Sequence, residues 1–362
     1  MPSHSARLSA LLDLIDGDAY LALNYEYSDH ATLRYLTGFT GEGALLVAPG
    51  GSVLLTDSRY TEQAKAETDG LEIDDSRAWR STSAAEAIKA RKLDRVVFPS
   101  TRSTYQWVED LSKLGDFTLV PEKDPVSTLR RVKTADELKA LRRAAAIADK
   151  ALDALINELK VGMTEAEAAL RLEVLIRETD AEGIAFSVNA SAGPNTALNH
   201  YNPSLAPQPL REGDLLLFDF GACCDGYRSD MTRTIAIGAS EAKGREIYEI
   251  VLAANLAAID VVASGRTGVE IDAVARNLIA EAGYGDFFGH GLGHGIGLEV
   301  HEAPGLSPKS EDTLEPGMVV TIEPGIYIPG FGGVRIEDDV IVGEDGCEVI
   351  TTFPKDRLLE VG

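Results

Sequence analysis

Asp219 in LLLFDFGA, Asp230 in YRSDMTRT, His294 in GHGIGLEVHE, Glu323 in TIEPGIY and Glu337 in GVRIEDD follow one another along the C-terminal half of a 362-residue chain. Any one of its 58 acids could be an ordinary surface residue, but these five positions lie in apolar, Gly-rich strand patterns where a solvated acid does not belong. Carboxylates gathered in such a setting repel one another unless a cation holds them. Oxygen donors with one imidazole suit divalent ions, so the set points to a hydrolase built around two of them.

Hairpins would bring the acids together. If LLLFDFGA and YRSDMTRTIAI pair about a loop from Cys223 to Gly226, Asp219 and Asp230 fall opposite one another. VVTIEPGIYI and GVRIEDDVIV about PGFGG would set Glu323 across from Glu337 in the same way. Between the hairpins, FGHGLGHGIGLEVHE carries Gly289, Gly291, Gly293, Gly295 and Gly297, too many for a helix. Read as extended chain, His290 and His294 point to one side, the glycines admit a ligand close to the backbone, and His301 follows on the next segment. Four of the six histidines (His200, His290, His294, His301) lie within or just upstream of these motifs, whereas His4 and His30 read as structural or surface residues.

The elements that position these residues form an α/β (α+β) chain of two domains, expected at 1–125 and 126–362. The first alternates helix and strand: an amphipathic start (Leu8, Leu11, Leu12, Leu14, Ile15), then the strand patterns YLALNY, ALLVAP, SVLLTD and RVVFPS. VPEKDPVSTLRRVKTADE reads as the connection, and Thr134 with Glu137 forms a capping box that opens a long helix to about Leu159. A faint repeat links LKVGMTEAEAALRLEVLIRETDAEG with VASGRTGVEIDAVARNLIAEAGYG: a helix ends, Gly-X-Thr turns the chain, and a second helix begins. Two related halves folded around one sheet would each deliver acids to a central site.

A net charge of -24 and a pI near 4.6 argue against a nucleic-acid partner and for a small-molecule or peptide substrate. The start MPSHSARLSALLDLIDGDAY lacks a basic segment followed by an apolar one. No apolar run reaches the roughly 18 residues of a membrane span, so a cytoplasmic protein is expected. Cys223, Cys224 and Cys347 suggest no disulfide framework, and the adjacent pair lacks a partner pair at zinc spacing, which leaves a turn or packing role.

Taken together, the motifs resemble the pita-bread metallopeptidase family, which includes prolidase, aminopeptidase P, methionine aminopeptidase and creatinase. RYLTGFTGEGALLV and LLTDSRYTEQA are similar to the N-terminal domain of the prolidase and aminopeptidase P type, and all five ligand positions match the C-terminal domain. The resemblance implies a creatinase-like α/β domain followed by a pita-bread catalytic domain. It implies two metals on Asp219, Asp230, His294, Glu323 and Glu337, bridged by Asp230 and Glu337, with His200, His290 and His301 binding substrate and handling protons. A homodimer is implied as well. Asn199 departs from the Pro that many relatives carry before the residue matched to His200, which leaves the backbone of that loop open.

The donor set favours Mn²⁺, with Co²⁺ or Zn²⁺ as alternatives. Water held between two such ions becomes acidic enough, its pKa falling from roughly 16 to about 7, to attack as hydroxide. Glu323 is the choice for proton shuttle, and His290 or His301 for an oxyanion donor worth about 3 kcal/mol. The upstream domain argues against methionine aminopeptidase, and creatinase does not keep this ligand set. The resemblance thus implies cleavage of an Xaa-Pro bond, a tertiary amide without an N–H. Arg335 is a candidate for holding a dipeptide's C-terminal carboxylate, or else a salt-bridge partner of an acidic ligand; Arg59 would reach the site only if an N-terminal domain covered it. Expected is an Xaa-Pro dipeptidase (prolidase-like), with an aminopeptidase P-type enzyme acting on longer peptides as the alternative and a non-catalytic binding module as the distant one.

Overall fold

A computed structural model describes residues 4–26, 28–76 and 80–362. The chain divides into two compact units, Met1–Arg130 and Arg131–Gly362. Among the described residues no helix is long and apolar enough to cross a membrane.

In the first unit the four expected strands form as Ala19–Asn24, Gly43–Val47, Val53–Leu55 and Arg95–Pro99. Ala19–Asn24 is buried at every residue, as its unbroken apolar run requires of a central strand. The sheet also gains Glu72–Asp74 at one edge and Thr118–Glu122 at the other, short and half-exposed strands with little apolar signal to announce them. The stretch read as a plain connection carries the end of that second edge strand and a helix, Pro125–Arg130, opened by a proline whose missing N–H costs nothing at a first helical position.

In the second unit helix Ala135–Ile156 starts at the anticipated capping box: the Thr134 N–H donates to Glu137 Oε2 at 2.7 Å and the Glu137 N–H to Thr134 Oγ1 at 3.4 Å. The repeat is visible bond by bond. Gly162 N–H donates to the Leu210 carbonyl and Leu210 N–H returns to Met163, just as Gly265 donates to Leu314 and Leu314 returns to Arg266. Thr164 and Thr267 then cap helices Glu165–Arg177 and Gly268–Glu281 with matching capping boxes. Each half has its own apolar core. Leu172, Ile176, Phe218 and Phe220 belong to one, and Val251, Ile271, Val320 and Ile322 to the other.

Two sheets carry the candidate ligands. One runs in the order Glu360–Val361, Met231–Ile237, Leu215–Phe220, Asn189–Ala192; the other Glu302–Leu306, Gly293–Gly295, Val319–Ile322, Asp338–Val342, Cys347–Val349. They are tied where the acids lie: the Glu337 N–H donates to the Thr232 carbonyl at 3.1 Å, and Arg233 donates to the Glu337 carbonyl at 2.5 Å and to Asp338 Oδ1 at 2.8 Å. Asn255, fully buried on helix Ala242–Asp260, places its amide nitrogen 3.0 Å from the Ile322 carbonyl and 3.2 Å from that of Ile336, the residues just before Glu323 and Glu337.

Glycine admits the central strand Gly293–Gly295. A Cβ on Gly293 would lie 1.9 Å from the Thr321 carbonyl oxygen, while one on Gly289 would meet nothing within 4 Å. Gly293→Ala is therefore expected to cost more than about 2 kcal/mol and Gly289→Ala less than about 0.5 kcal/mol. Paired thermal melts check this, and equal midpoints for the two variants would contradict the packing.

Candidate metal centre

Strand register places the first two acids. Asp219 pairs with Thr232 and Phe220 with Met231, so Asp230 lies two residues ahead of Asp219's partner and shares its face diagonally rather than directly opposite it. The offset arises because the connection forms a hairpin of its own: Ala222–Cys224 pairs with Tyr227–Arg228 about Asp225 and Gly226, whose φ values of 51° and 81° suit a tight two-residue turn. Cys223 and Cys224 are buried strand residues of that hairpin.

Glu323 and Glu337 occupy a gap between two ladders. Ile322 pairs with Asp338 on one side and Gly325 with Arg335 on the other, and the common register leaves the two glutamates facing one another. Their N–H groups turn away from the pair, to the Leu292 and Thr232 carbonyls at 2.8 and 3.1 Å.

All five residues line one cavity of about 430 Å³, together with His200, His290, His301 and Arg335. Donor atoms of Asp230, His294 and Glu337 lie within 4.8 Å of one another. His294 Nε2 is 3.4 Å from Glu323 Oε1 and 3.8 Å from Asp230 Oδ2. Asp219 Oδ2 accepts from Arg335 at 2.6 Å. The His301 ring lies against that of His294, centres 4.4 Å apart and planes tilted by 55°, and His200 stands exposed on its loop with Asn199 before it. Arg59, in the first unit, pairs with Asp57 at 2.9 Å.

Burial, and then mutual repulsion, makes these acids hard to ionise without a counter-charge. Asp230 and Glu323 are held well above the usual carboxylate range by burial and by Glu337. Burial and Asp219 push Glu337 up to about 7, and burial raises Asp219 against the pull of Arg335. Burial brings His290 and His294 down to about 4, so both are neutral at pH 7. His294 Nδ1 lies 3.1 Å from the Gly295 carbonyl; the proton therefore sits on Nδ1, and the Nε2 lone pair faces the acids. Asp230 Oδ1 is buried without a hydrogen-bond partner among the described residues. An orphaned carboxylate oxygen, a neutral imidazole lone pair and three further acids fit divalent metal ions and little else.

Residues that the motifs did not single out complete the centre. Tyr327 accepts from Arg335 at 3.1 Å, and its hydroxyl lies 2.9 Å from His290 Nε2. Because His290 Nδ1 is committed to the Gly291 carbonyl at 2.7 Å, Nε2 is the acceptor and Tyr327 donates to it. Burial pushes the Tyr327 hydroxyl up to about 12, so it stays a donor. Thr232 donates to Glu337 Oε2 at 2.5 Å and accepts from Arg335 at 2.8 Å, while Asp339 accepts the Asp230 N–H at 2.9 Å. The available signals were Tyr327 in the alternating run GIYI, and the acidic run Glu337, Asp338, Asp339 inside an apolar strand.

Residues 139–344 match Metallopeptidase family M24, and residues 7–132 match the Creatinase/Prolidase N-terminal domain. The chain belongs to family M24. It is 42% identical over 258 residues to the Xaa-Pro dipeptidase of Pyrococcus furiosus, which covers 70% of this chain and 73% of that protein. An Xaa-Pro dipeptidase structure from Bacillus anthracis superposes with a TM-score of 0.93 at 39% identity, covering 99% of this chain and 100% of the other. The X-Pro aminopeptidase structure from Thermotoga maritima gives 0.89 at 37% identity, covering 97% and 99%. Membership accords with the fold expected from the motifs, and it implies divalent metal ions.

Raised carboxyls mean that the folded, metal-free protein binds more protons than the unfolded chain, so its stability falls as pH rises. The lowered histidines act the other way, but only below their unfolded value near 6.5. From pH about 6.5 to about 8 the acids alone count, and the chelated protein is expected to lose stability across that window. Saturating Mn²⁺ should abolish or reverse the slope, because metal binding displaces those protons. Thermal melts of chelated and loaded protein at the two pH values test this; a chelated protein equally stable at both would refute the picture of closely buried acids.

Proposed function

We propose that this chain hydrolyses the peptide bond between an N-terminal residue and proline, as a metal-dependent Xaa-Pro dipeptidase of the prolidase type. The observation that carries the reading is the convergence of Asp219, Asp230, His294, Glu323 and Glu337 on one cavity in a fold shared with an Xaa-Pro dipeptidase along nearly its full length. The ligand role of each of the five belongs to this proposal, as does manganese, which the oxygen-rich donors favour. Assembly as a homodimer rests on the family resemblance.

Bound to these residues, two divalent ions would supply a water acidic enough to be nucleophilic near neutral pH. The other tasks fall to side chains. Glu323, with Oε1 toward His294 Nε2 and Oε2 4.0 Å from His290 Nδ1, is the carboxylate to carry a proton from nucleophile to leaving nitrogen. Both ring nitrogens of His290 are engaged, by Gly291 and Tyr327, so it has no free N–H for an oxyanion. That duty passes to His301, with His200 binding substrate from the other loop. Arg335 divides its donors among Asp219, Thr232 and Tyr327, which holds Asp219 in place.

This commitment of Arg335 favours a second reading. Among the described residues it is the only Lys or Arg lining the cavity, and each of its three nitrogens already donates to one of the protein's own groups, which takes three of its five N–H bonds. A C-terminal carboxylate therefore finds no dedicated cation there. Peptides longer than two residues would fit such a site, as an aminopeptidase acting on Xaa-Pro peptides requires.

Release of the first residue from an Xaa-Pro dipeptide, and from the same peptide extended by one or two residues, with Mn²⁺, Co²⁺ or Zn²⁺ supplied in turn, separates the two. Cleavage of the dipeptide alone supports the dipeptidase; comparable cleavage of the longer peptides supports the aminopeptidase; no cleavage of either with any metal overturns both. Glu323→Ala should reduce kcat by at least about a thousandfold, as loss of a group that is both ligand and proton carrier implies. Wild-type turnover in that variant would remove Glu323 from the mechanism.

A further inference from the structure

Glu165 is fully buried, yet it opens helix Glu165–Arg177 and lies outside every motif that built the metal centre. Its two oxygens receive four donors. Oε1 accepts from the Ala192 N–H at 2.7 Å and from Asn195 Nδ2 at 2.9 Å; Oε2 accepts from the Tyr201 hydroxyl at 2.7 Å and from the Gln208 N–H at 2.8 Å. All four donors belong to residues 192–208, and His200 lies between them. We infer that Glu165 is a positioning residue that clamps both arms of this loop and so sets His200 against the cavity; the inference rests on the substrate-binding role proposed for His200.

The repeat supplies an internal control. In the second half Thr267 caps its helix as Thr164 does, and the Gly268 N–H donates to Asp312 as that of Glu165 does to Gln208. The position equivalent to Glu165 is Gly268, where even a Cβ would lie 2.3 Å from the Gly305 carbonyl oxygen. This helix start therefore forms without a carboxylate. The acid at 165 serves the loop, and the first half is the one whose loop carries His200. The choice of a charged residue follows from its partners: four donors converging on one buried group call for an acceptor without protons, and the helix N-terminus favours its charge.

Glu165→Gln keeps the shape but turns an NH₂ toward two donors, which releases one arm. With bound metal unchanged, kcat/KM on an Xaa-Pro substrate is expected to fall about ten- to a hundredfold, the scale of a lost charged hydrogen bond and a misplaced binding group. In a His200→Ala background the same substitution should cost nothing further, because its effect passes through His200. Losses that multiply would overturn the inference, since they would mark Glu165 as merely structural. Hydrogen exchange at the Ala192 or the Gln208 amide, whichever faces the new NH₂, should accelerate in Glu165→Gln while the rest of the fold keeps its protection; unchanged exchange at both would also overturn it. That readout stands even if the parent cleaves no Xaa-Pro peptide, the result that would sink the proposed function instead. Should Glu165→Gln fail to fold, Tyr201→Phe removes one of the four bonds alone. A several-fold loss that vanishes in the His200→Ala background supports the clamp, and one that persists overturns it.

Discussion

Mutual repulsion among buried carboxylates is the constraint on which the second unit turns. At an effective dielectric near 20, two like charges 4 Å apart cost about 4 kcal/mol. A folded domain has only about 5–15 kcal/mol in hand. Asp219, Asp230, Glu323 and Glu337 cannot all be charged in one cavity without compensation, and the surrounding structure supplies part of it. Arg335 binds Asp219, Thr232 donates to Glu337, and the raised carboxyls of Asp230, Glu323 and Glu337 would release their protons to solvent when a cation takes their place. Asp338, next in sequence to Glu337, shows the opposite outcome. Arg233 and Lys355 surround it and hold it below the usual carboxylate range. Two adjacent buried acids thus differ in fate because Arg233 and Lys355 outweigh burial at Asp338, while Arg335, 3.8 Å from Glu337 Oε2, does not outweigh burial and Asp219 at Glu337.

Duplication explains how so many acids reach one place, and its imperfections explain what they do there. Matching hydrogen bonds at Gly162 and Gly265, and at Leu210 and Leu314, carry each half from a capped helix into a strand, and the strands deliver Asp219 in one half and Glu323 in the other. Past those strands the halves diverge. The first makes a tight hairpin and brings back Asp230, while the second opens a gap between two ladders for Glu337. The strand that pairs beside each of those strands, Asn189–Ala192 in the first half and Gly293–Gly295 in the second, carries an imidazole only in the second. Glu165 and Gly268 show the same divergence at the helix starts, where one position holds a loop and the other admits a strand backbone.

Much of this was legible in the sequence because it is local. The capping box at Thr134 and the two acid-bearing hairpins depend on residues a few positions apart, and they form as read, apart from the two-residue offset at Asp230; the glycine-histidine segment forms a strand only at Gly293–Gly295. The short edge strands Glu72–Asp74 and Thr118–Glu122 left little trace because half-exposed residues need not be apolar. The roles of Tyr327, Asp339 and Glu165 were not legible for a different reason. Each acquires its role from a partner 8 to 109 residues away, across a register that only the assembled sheets define.

Arg335 shows why metal ligands specify a reaction more sharply than a substrate. Its strand neighbours fix it beside Asp219 and Tyr327, and the same contacts that let it offset a buried acid tie each of its nitrogens to a group of the protein, so it is not free to turn toward a peptide's C-terminus. One guanidinium cannot serve both purposes at full strength, because a bidentate grip on a second carboxylate would draw donors away from Asp219. The strands that carry the five candidate ligands therefore set the geometry of the centre through backbone register. On the proposed function, the length of peptide accepted would turn on whether a further cation meets its C-terminal carboxylate, and among the described residues the cavity offers no Lys or Arg besides Arg335.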